Sequence, residues 1–370
     1  MNKALKMILF TILSLGLVML AACGGKEEPQ TAAPAEPEVQ AETEEQQPEE
    51  VKEAGEVNLY TSRHYDTDRQ LYDLFEAETG IKVNVIEGKG DELIARLNSE
   101  GENTEADLFL TADAGNLYVA KQDGLFQEIQ SDELFKNIPA NLRDDENMWV
   151  GLTKRARVIV YAKDRVDPSE LSTYEALTGP EWAGRVLSRT SSNMYNLSLL
   201  ASFIELNGAE AAEEWAKGIA ANLAREPQGG DTDQIRAVVA GEGDVAISNT
   251  YYVGRLLNSA DKGDVEVGEA VGVFFPNQDT TGTHVNISGV GIIKHSKNVE
   301  NAIKFLEFLS SVEAQKVFAE GNNEYPVNPD VDWSETVKSW GEFKEQNIPL
   351  SILGKNQLEA IKIFDRSGWK

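Results

Sequence analysis

The side chains with the most chemical content are phenols carried on three separate loops. Ser248-Asn249-Thr250-Tyr251-Tyr252 follows the strand-like run Asp244-Val245-Ala246-Ile247 and precedes the helix-like run Val253 to Leu257. A Ser/Asn/Thr triplet at such a junction is a helix N-cap signal. In a strand, neighbouring tyrosines point to opposite faces. In a first helical turn they lie about 100° apart, so both phenol oxygens reach one cleft. His64-Tyr65 sits in the loop after the strand Val57 to Tyr60, and Tyr195 in the polar run Thr190 to Asn196. Each tyrosine alone reads as a packing residue with its hydroxyl near water. Their coincidence at strand-to-helix mouths, where open α/β sheets bind ligands, points to a shared task.

Oxygen donors suit hard cations. A free phenol ionises at a pKa of about 10, so a phenolate at neutral pH needs a strong local cation, which metal binding supplies while releasing the proton. A trivalent ion does this better than a divalent one. Four phenolates on Fe(III) leave one formal negative charge, which a neighbouring arginine offsets. Arg155 and Arg255 are the candidates, and Arg255 stands three residues after Tyr252 on a nearby helix face. Arg63 is a third possibility, read in preference as a surface charge. His64 either donates a neutral imidazole nitrogen as a fifth ligand or orients Tyr65 from behind. His284 and His295 have no partner at metal spacing and read as surface residues.

Loops of this kind need a scaffold. From Val57, strands alternate with helices: Val57 to Tyr60, a helix from Asp66 to Gly80, Lys82 to Ile86, a helix from Asp91, Asp107 to Thr111, and Asn116 to Asp123. That alternation predicts an α/β sheet flanked by helices. A β-rich stretch follows at Trp149 to Lys163. A second alternation then runs to the tyrosine pair, and a second extended stretch covers Val271 to Phe275 and Val285 to Ile293. Two β-rich stretches around a middle α/β block predict two lobes with crossovers near Arg155 and Asp279. The expected bounds are 57–155 with 280–330 for the first lobe, and 156–279 with 331–370 for the second. The length also suits two packed units.

The chain opens with a leader. Lys3 and Lys6 precede the apolar run Ile8 to Met19, which ends in Leu20-Ala21-Ala22-Cys23. This resembles a bacterial lipoprotein signal, with 1–22 removed and Cys23 lipidated. Cys23 is the only cysteine, so a disulfide within the chain and a cysteine metal cluster are excluded. The segment 23–56 holds eleven glutamates and no aromatic residue, the composition of a disordered tether. A net charge of −28 argues against nucleic acid and anionic membrane surfaces as partners.

Leu59-Tyr60-Thr61-Ser62-Arg63-His64-Tyr65, Arg155-Ala156-Arg157 before Val158 to Tyr161, Tyr195, and Asn249-Thr250-Tyr251-Tyr252-Val253-Gly254-Arg255 together resemble the periplasmic ferric-iron-binding proteins of bacterial ABC transporters, in their tyrosine-rich FutA-like branch. The resemblance spans nearly all of Val57 to Lys370. It implies a type II-like, two-lobed periplasmic binding protein, each lobe a mixed sheet flanked by helices, hinged at two crossovers. It implies Fe(III) as cargo, Fe(II) being the alternative, held by Tyr65, Tyr195, Tyr251 and Tyr252 with His64 at the histidine position or a water beside an arginine. It further implies delivery to an ABC permease by an extracytoplasmic monomer, here anchored through lipid on Cys23.

Two rival readings remain. Thr61 and Ser62 before a helix N-terminus could receive an oxyanion or another small solute. A hydrolytic enzyme could use Ser62 as nucleophile and His64 as base. The second is disfavoured because the chain has no G-x-S-x-G elbow, H-E-x-x-H or P-loop, and Gly88-Lys89-Gly90 lacks the third glycine of a dinucleotide loop. The chain is therefore expected not to be an enzyme.

Overall fold

The computed structural model describes residues 55–370. The leader, Cys23 and nearly all of the tether lie outside the described residues. Among those described, no helix is long and apolar enough to cross a membrane.

The first lobe begins with strand β1 (Glu56–Thr61), helix α1 (Asp66–Thr79), β2 (Lys82–Glu87), α2 (Gly90–Glu100), β3 (Leu108–Thr111) and α3 (Ala114–Gln122). A short strand β4 (Phe126–Gln127) and helix α4 (Asp132–Asn137) lead to the long strand β5 (Val150–Ala162). Leu71, Tyr72 and Phe75 bury the inner face of α1, and Gly80 ends that helix at φ 72°, a left-handed position open to glycine at no steric cost.

The second lobe holds β6 (Val186–Leu187), α5 (Met194–Asn207), α6 (Ala209–Asn222), α7 (Asp231–Val239), β7 (Val245–Asn249), α8 (Thr250–Leu257), α9 (Lys262–Ala270) and β8 (Val271–Phe274). The chain then returns through β9 (Val285–Ile293), α10 (Val299–Ser310), α11 (Val312–Asn322) and β10 (Tyr325–Pro326). It finishes with α12 (Glu335–Ser339), α13 (Ile352–Lys355) and α14 (Gln357–Ser367).

The strand order is β2-β1-β3-β9-β5-β7-β6. β1 is parallel to β2 and β3, while β9 runs antiparallel to both β3 and β5, so the sheet is mixed. In the second lobe β6 is parallel to β7, and β5 is antiparallel to β7 and β8. Strand β5 serves both lobes. Its residues up to Ala156 pair with β9, and from Arg157 they pair with β7.

Period-2 alternation in the second half of β5 sends Val158 and Val160 into one apolar core and Ile159 into another. The first lobe has its own core around Leu59, Phe75, Phe109 and Phe305. Near the C-terminus, Ala360, Ile363, Phe364 and Trp369 pack with the second lobe, whereas Leu350 and Leu353 pack in the core of the first. The segment around α13 therefore touches both lobes, a contact that local sequence pattern does not reveal.

Candidate metal centre

Each loop that bears a candidate tyrosine is fixed by local chemistry. Tyr65 is itself the N-cap residue of α1, with φ −81° and ψ 148°, and its backbone N–H donates to the Asp68 carboxylate at 3.3 Å. Asn193 caps α5 by accepting the Tyr195 N–H at 3.0 Å. Asn249 stands at the N-cap of α8, which places Tyr251 and Tyr252 in its first turn. Three helix N-termini therefore bring their positive ends toward the phenols, an arrangement that favours negative charge there.

The phenol oxygens meet between the lobes. The Tyr65 hydroxyl donates to that of Tyr251 at 3.4 Å, and the Tyr195 and Tyr251 hydroxyls are 3.2 Å apart. The Tyr251 and Tyr252 rings lie 4.2 Å apart at 30°, and the Tyr65 ring meets Tyr251 edge-on at 6.3 Å. His64 is exposed, its ring 5.7 Å from that of Tyr65, and it lines a groove of about 1020 Å³ with Ser62, Lys89, Asn116, Asn193 and Met194.

Burial is the largest influence on three of these phenols. It pushes Tyr65, Tyr251 and Tyr252 well above the ordinary phenol range, and the nearby tyrosine charges add to it. Arg63 partly opposes the shift at Tyr65, and Arg155 does so at Tyr251. Burial thus favours the neutral phenol form at Tyr65, Tyr251 and Tyr252.

Five guanidinium groups stand over two of the rings. Arg63 and Arg255 lie 4.9 and 5.3 Å from the centroid of Tyr65. Arg155, Arg157 and Arg189 lie 5.4, 5.8 and 5.6 Å from that of Tyr195. Arg155 is buried, donating to the Ala112 carbonyl and, at 3.1 Å, to Ser288. Arg255 is exposed on α8 and has no carboxylate partner among the described residues.

Two readings need correction. Arg63 is not a surface charge. It is 3% exposed and sits between Asp68 at 2.8 Å and Glu324 at 3.0 Å, with further bonds to Thr153 and Ser288. His284 is not a surface residue either. It is 2% exposed, its Nδ1 lies 3.0 Å from the Gln346 carbonyl oxygen, and burial pushes its imidazole down to about 3. Both errors share one cause, since a partner of each buried group, Glu324 for Arg63 and Gln346 for His284, stands far away in the chain.

Sequence reasoning also missed the support behind Tyr195. Asp231, fully buried, accepts from Arg157 at 2.9 Å and Arg189 at 2.7 Å. Arg157 also donates to Asn196 at 2.7 Å and Asn249 at 3.1 Å. The available signal was the spacing of Arg155 and Arg157, two apart on one strand and so on one face.

Other donor sets are poorer. Among the described residues, the one carboxylate, histidine or cysteine trio close enough to share an ion is Asp144, Asp145 and Glu146, and the Lys121 ammonium already fills it at 2.8, 3.2 and 2.7 Å. The Ser62 hydroxyl donates to Thr111 at 3.1 Å and accepts from the Ala112 N–H at 3.3 Å. It is thus engaged with backbone and threonine rather than with His64.

Comparison with known proteins shows the family. A profile described as bacterial extracellular solute-binding protein matches residues 70–345. Iron uptake protein A1 of Synechocystis sp. is 54% identical over 318 residues, 86% of this chain and 88% of that one. The major ferric iron-binding protein of Neisseria meningitidis serogroup B is 27% identical over 320 residues, 85% of this chain and 93% of the other. Among solved structures, the Trichodesmium protein (IdiA, FutA) in complex with iron and citrate superposes with a TM-score of 0.81 at 55% identity, covering 85% of this chain and all of that one. The ferric binding protein of Campylobacter jejuni gives 0.82 at 47% identity with the same coverage of this chain. With a two-lobed mixed-sheet fold and tyrosines gathered between the lobes, the chain belongs to the bacterial extracellular solute-binding proteins, on the branch that holds the cyanobacterial iron uptake proteins.

Proposed function

We propose that this protein captures one ferric ion in the interlobe gap and hands it to the permease of an ABC transporter. Tyr65 from the first lobe and Tyr195, Tyr251 and Tyr252 from the second are the phenolate ligands. His64 completes the shell from the groove side, and Arg155 and Arg255 offset the excess negative charge. The observation that carries this reading is the meeting of three phenol oxygens from three distant loops, Tyr65 and Tyr195 each within 3.4 Å of Tyr251.

The protonation of the phenols makes the choice of cargo physical. Buried phenols yield their protons only to a strong Lewis acid, so Fe(III) displaces protons more readily than Fe(II) or other divalent ions. Closure brings Tyr65 to the other tyrosines, so ion binding and lobe closure form one equilibrium. The lobes are taken as 57–155 with 280–330 and 156–279 with 331–370, a division supported by the change of partner along β5 from β9 to β7 at Ala156–Arg157. The protein works outside the cytoplasm as a monomer, held to the membrane by lipid on Cys23, with the acidic tether as spacer. Its role is carriage rather than catalysis.

The test is a ferric titration of the purified protein. Phenolate-to-iron charge transfer gives a red-orange colour at one equivalent, lost progressively in Tyr→Phe variants at the four positions. A colourless protein, or one that colours equally well without Tyr251 and Tyr252, would overturn the assignment. The oxyanion reading is weakened because the hydroxyls it needs are engaged: Thr61 accepts from the Arg63 N–H at 2.9 Å, and Ser62 bonds Thr111 and the Ala112 N–H.

A further inference from the structure

Trp369 lies outside the metal centre, yet it holds the loop that leads to Tyr195. It is 2% exposed. Its indole N–H donates to the Arg189 carbonyl at 3.0 Å, and the carbonyl of the next residue, Lys370, accepts from the Ser191 N–H at 3.2 Å. The two bonds bracket Thr190 and fix the segment between β6 and α5. The indole ring packs 5.8 Å from Trp215 and 5.2 Å from Phe364, and Trp215 stacks 4.2 Å from Phe203. Phe203 belongs to α5, the helix whose first turn carries Tyr195. Trp369 therefore holds the loop before α5 through hydrogen bonds, while its ring only packs into the aromatic stack beneath that helix.

Arg189 is the reason this grip reaches the phenol. Its peptide carbonyl accepts from Trp369, while its guanidinium lies 5.6 Å from the Tyr195 ring centroid and is held by Asp231 at 2.7 Å. Asn196, the neighbour of Tyr195, donates to the same Arg189 carbonyl and to that of Thr190, both at 3.1 Å. One carbonyl thus takes hydrogen bonds from the C-terminal segment and from the first turn of α5. A shift of that peptide moves the cation above Tyr195 and the start of its helix together.

We infer that Trp369 is a positioning residue for the metal centre: through its indole N–H it fixes the Arg189–Asn193 segment and thereby the aim of the Tyr195 phenol. The inference rests on the ferric reading for its spectroscopic consequence, but its structural half stands without iron. A group hydrogen-bonded directly to a metal ligand is worth about 10- to 100-fold in affinity, and Trp369 acts one step further out, through Arg189. Because Asn196 keeps one bond to the same carbonyl, the expected effect lies at the lower end of that range.

The test compares Trp369→Phe with Trp215→Phe. Trp215 belongs to the same aromatic stack, but its indole N–H donates to the Tyr174 carbonyl at 3.0 Å, away from the Tyr195 loop. Both variants lose ring area and an indole donor. Trp369→Phe is expected to release iron to excess EDTA about tenfold faster than the parent, with a displaced charge-transfer maximum, and to show faster amide exchange at residues 189–196 in the metal-free protein. Trp215→Phe is expected to retain the parental release rate, absorption maximum and exchange in that segment. Parental release and exchange in Trp369→Phe would overturn the inference, as would equal changes in both variants, which would mark general packing loss. If the parent itself never colours, the ferric reading fails, and exchange at 189–196 alone decides the positioning role. Should Trp369→Phe not fold, benzothienylalanine at 369, which matches the indole in shape and lacks its N–H, carries the same expectations.

Discussion

The Tyr65 hydroxyl lies 3.4 Å from the Tyr251 hydroxyl, although 186 positions separate them and they belong to different lobes. The contact exists only while the lobes are together, so it ties the state of the site to the state of the hinge. Under the proposed ferric reading, neither residue completes the metal shell without the other lobe.

Replacing Tyr252 or Tyr251 with Phe removes one oxygen and little else. Loss of an outer partner alone costs a metal site on the order of 10- to 100-fold, so loss of a direct ligand is expected to weaken ferric affinity by more than about 100-fold. Competition with a chelator of known affinity measures it. The metal-free variants should melt at the parental temperature or above it, because a buried phenol O–H is replaced by hydrogen. A collapse in melting temperature would mean the residue is structural.

Arg63 is expected to be the most sensitive position outside the tyrosines. Its guanidinium sits between Asp68 and Glu324, all three buried. Removing one member of a buried ion cluster costs about 3–5 kcal/mol, because the remaining charges lose their partner. Arg63→Met should therefore lower unfolding stability in urea by that amount. Arg69→Met, which breaks an exposed pair with Glu87, should leave unfolding stability close to that of the parent.

Asp113 links the lobes through a second route. Its carboxylate accepts from Ser198 on α5 at 2.5 Å and from Asn286 at 2.8 Å, while its other oxygen caps α3 through the Asn116 N–H at 3.1 Å. Burial raises its pKa, and the surrounding donors pull the other way. Asp113→Asn puts an NH₂ group against donors, and an unsatisfied buried donor costs about 1–3 kcal/mol. Thermal or urea unfolding reads the loss. Ser198→Ala, which removes only the interlobe donor, should cost less.

His284 gives a pH dependence of defined sign. Its folded pKa is about 3, far below the ordinary histidine value of about 6.5, because burial and two nearby arginines disfavour the cation. The unfolded chain therefore binds a proton that the native chain refuses across the window between those values. Its share of stability is complete above about pH 6.5 and falls as pH drops toward 3, by about 1.4 kcal/mol per pH unit. The carboxylates titrate in part of the same range, so the measurable quantity is the difference between the parent and His284→Gln. That variant should show a shallower loss of stability between pH 6 and 4, and parallel profiles would show that the residue does not control this slope.

Much of the scaffold was legible before any coordinates. The strand–helix alternation from Val57 to Asp123 and the tyrosine pair at the head of α8 followed from period, caps and glycine stops, which are local signals. What escaped was non-local. Arg63 looked exposed because Glu324, the partner that permits its burial, stands 261 positions away. Asp231 gave no sign that it would clamp Arg157 and Arg189, since nothing in DTDQ announces more than a helix start. The returning segment around Leu350 and Leu353 was assigned by chain order, whereas its packing follows the first core.

A strand held in common by both lobes leaves no seam between them. Strand β5 runs thirteen residues, and its two ends pair with strands of different lobes, β9 and β7. Cutting the chain there to express either half would strip that half of a central strand and lay open a row of unpaired backbone groups, the template on which chains aggregate. The halves can rock about this ribbon, but they are not separable modules. Any attempt to graft one of them onto another scaffold must carry the whole of β5 with it.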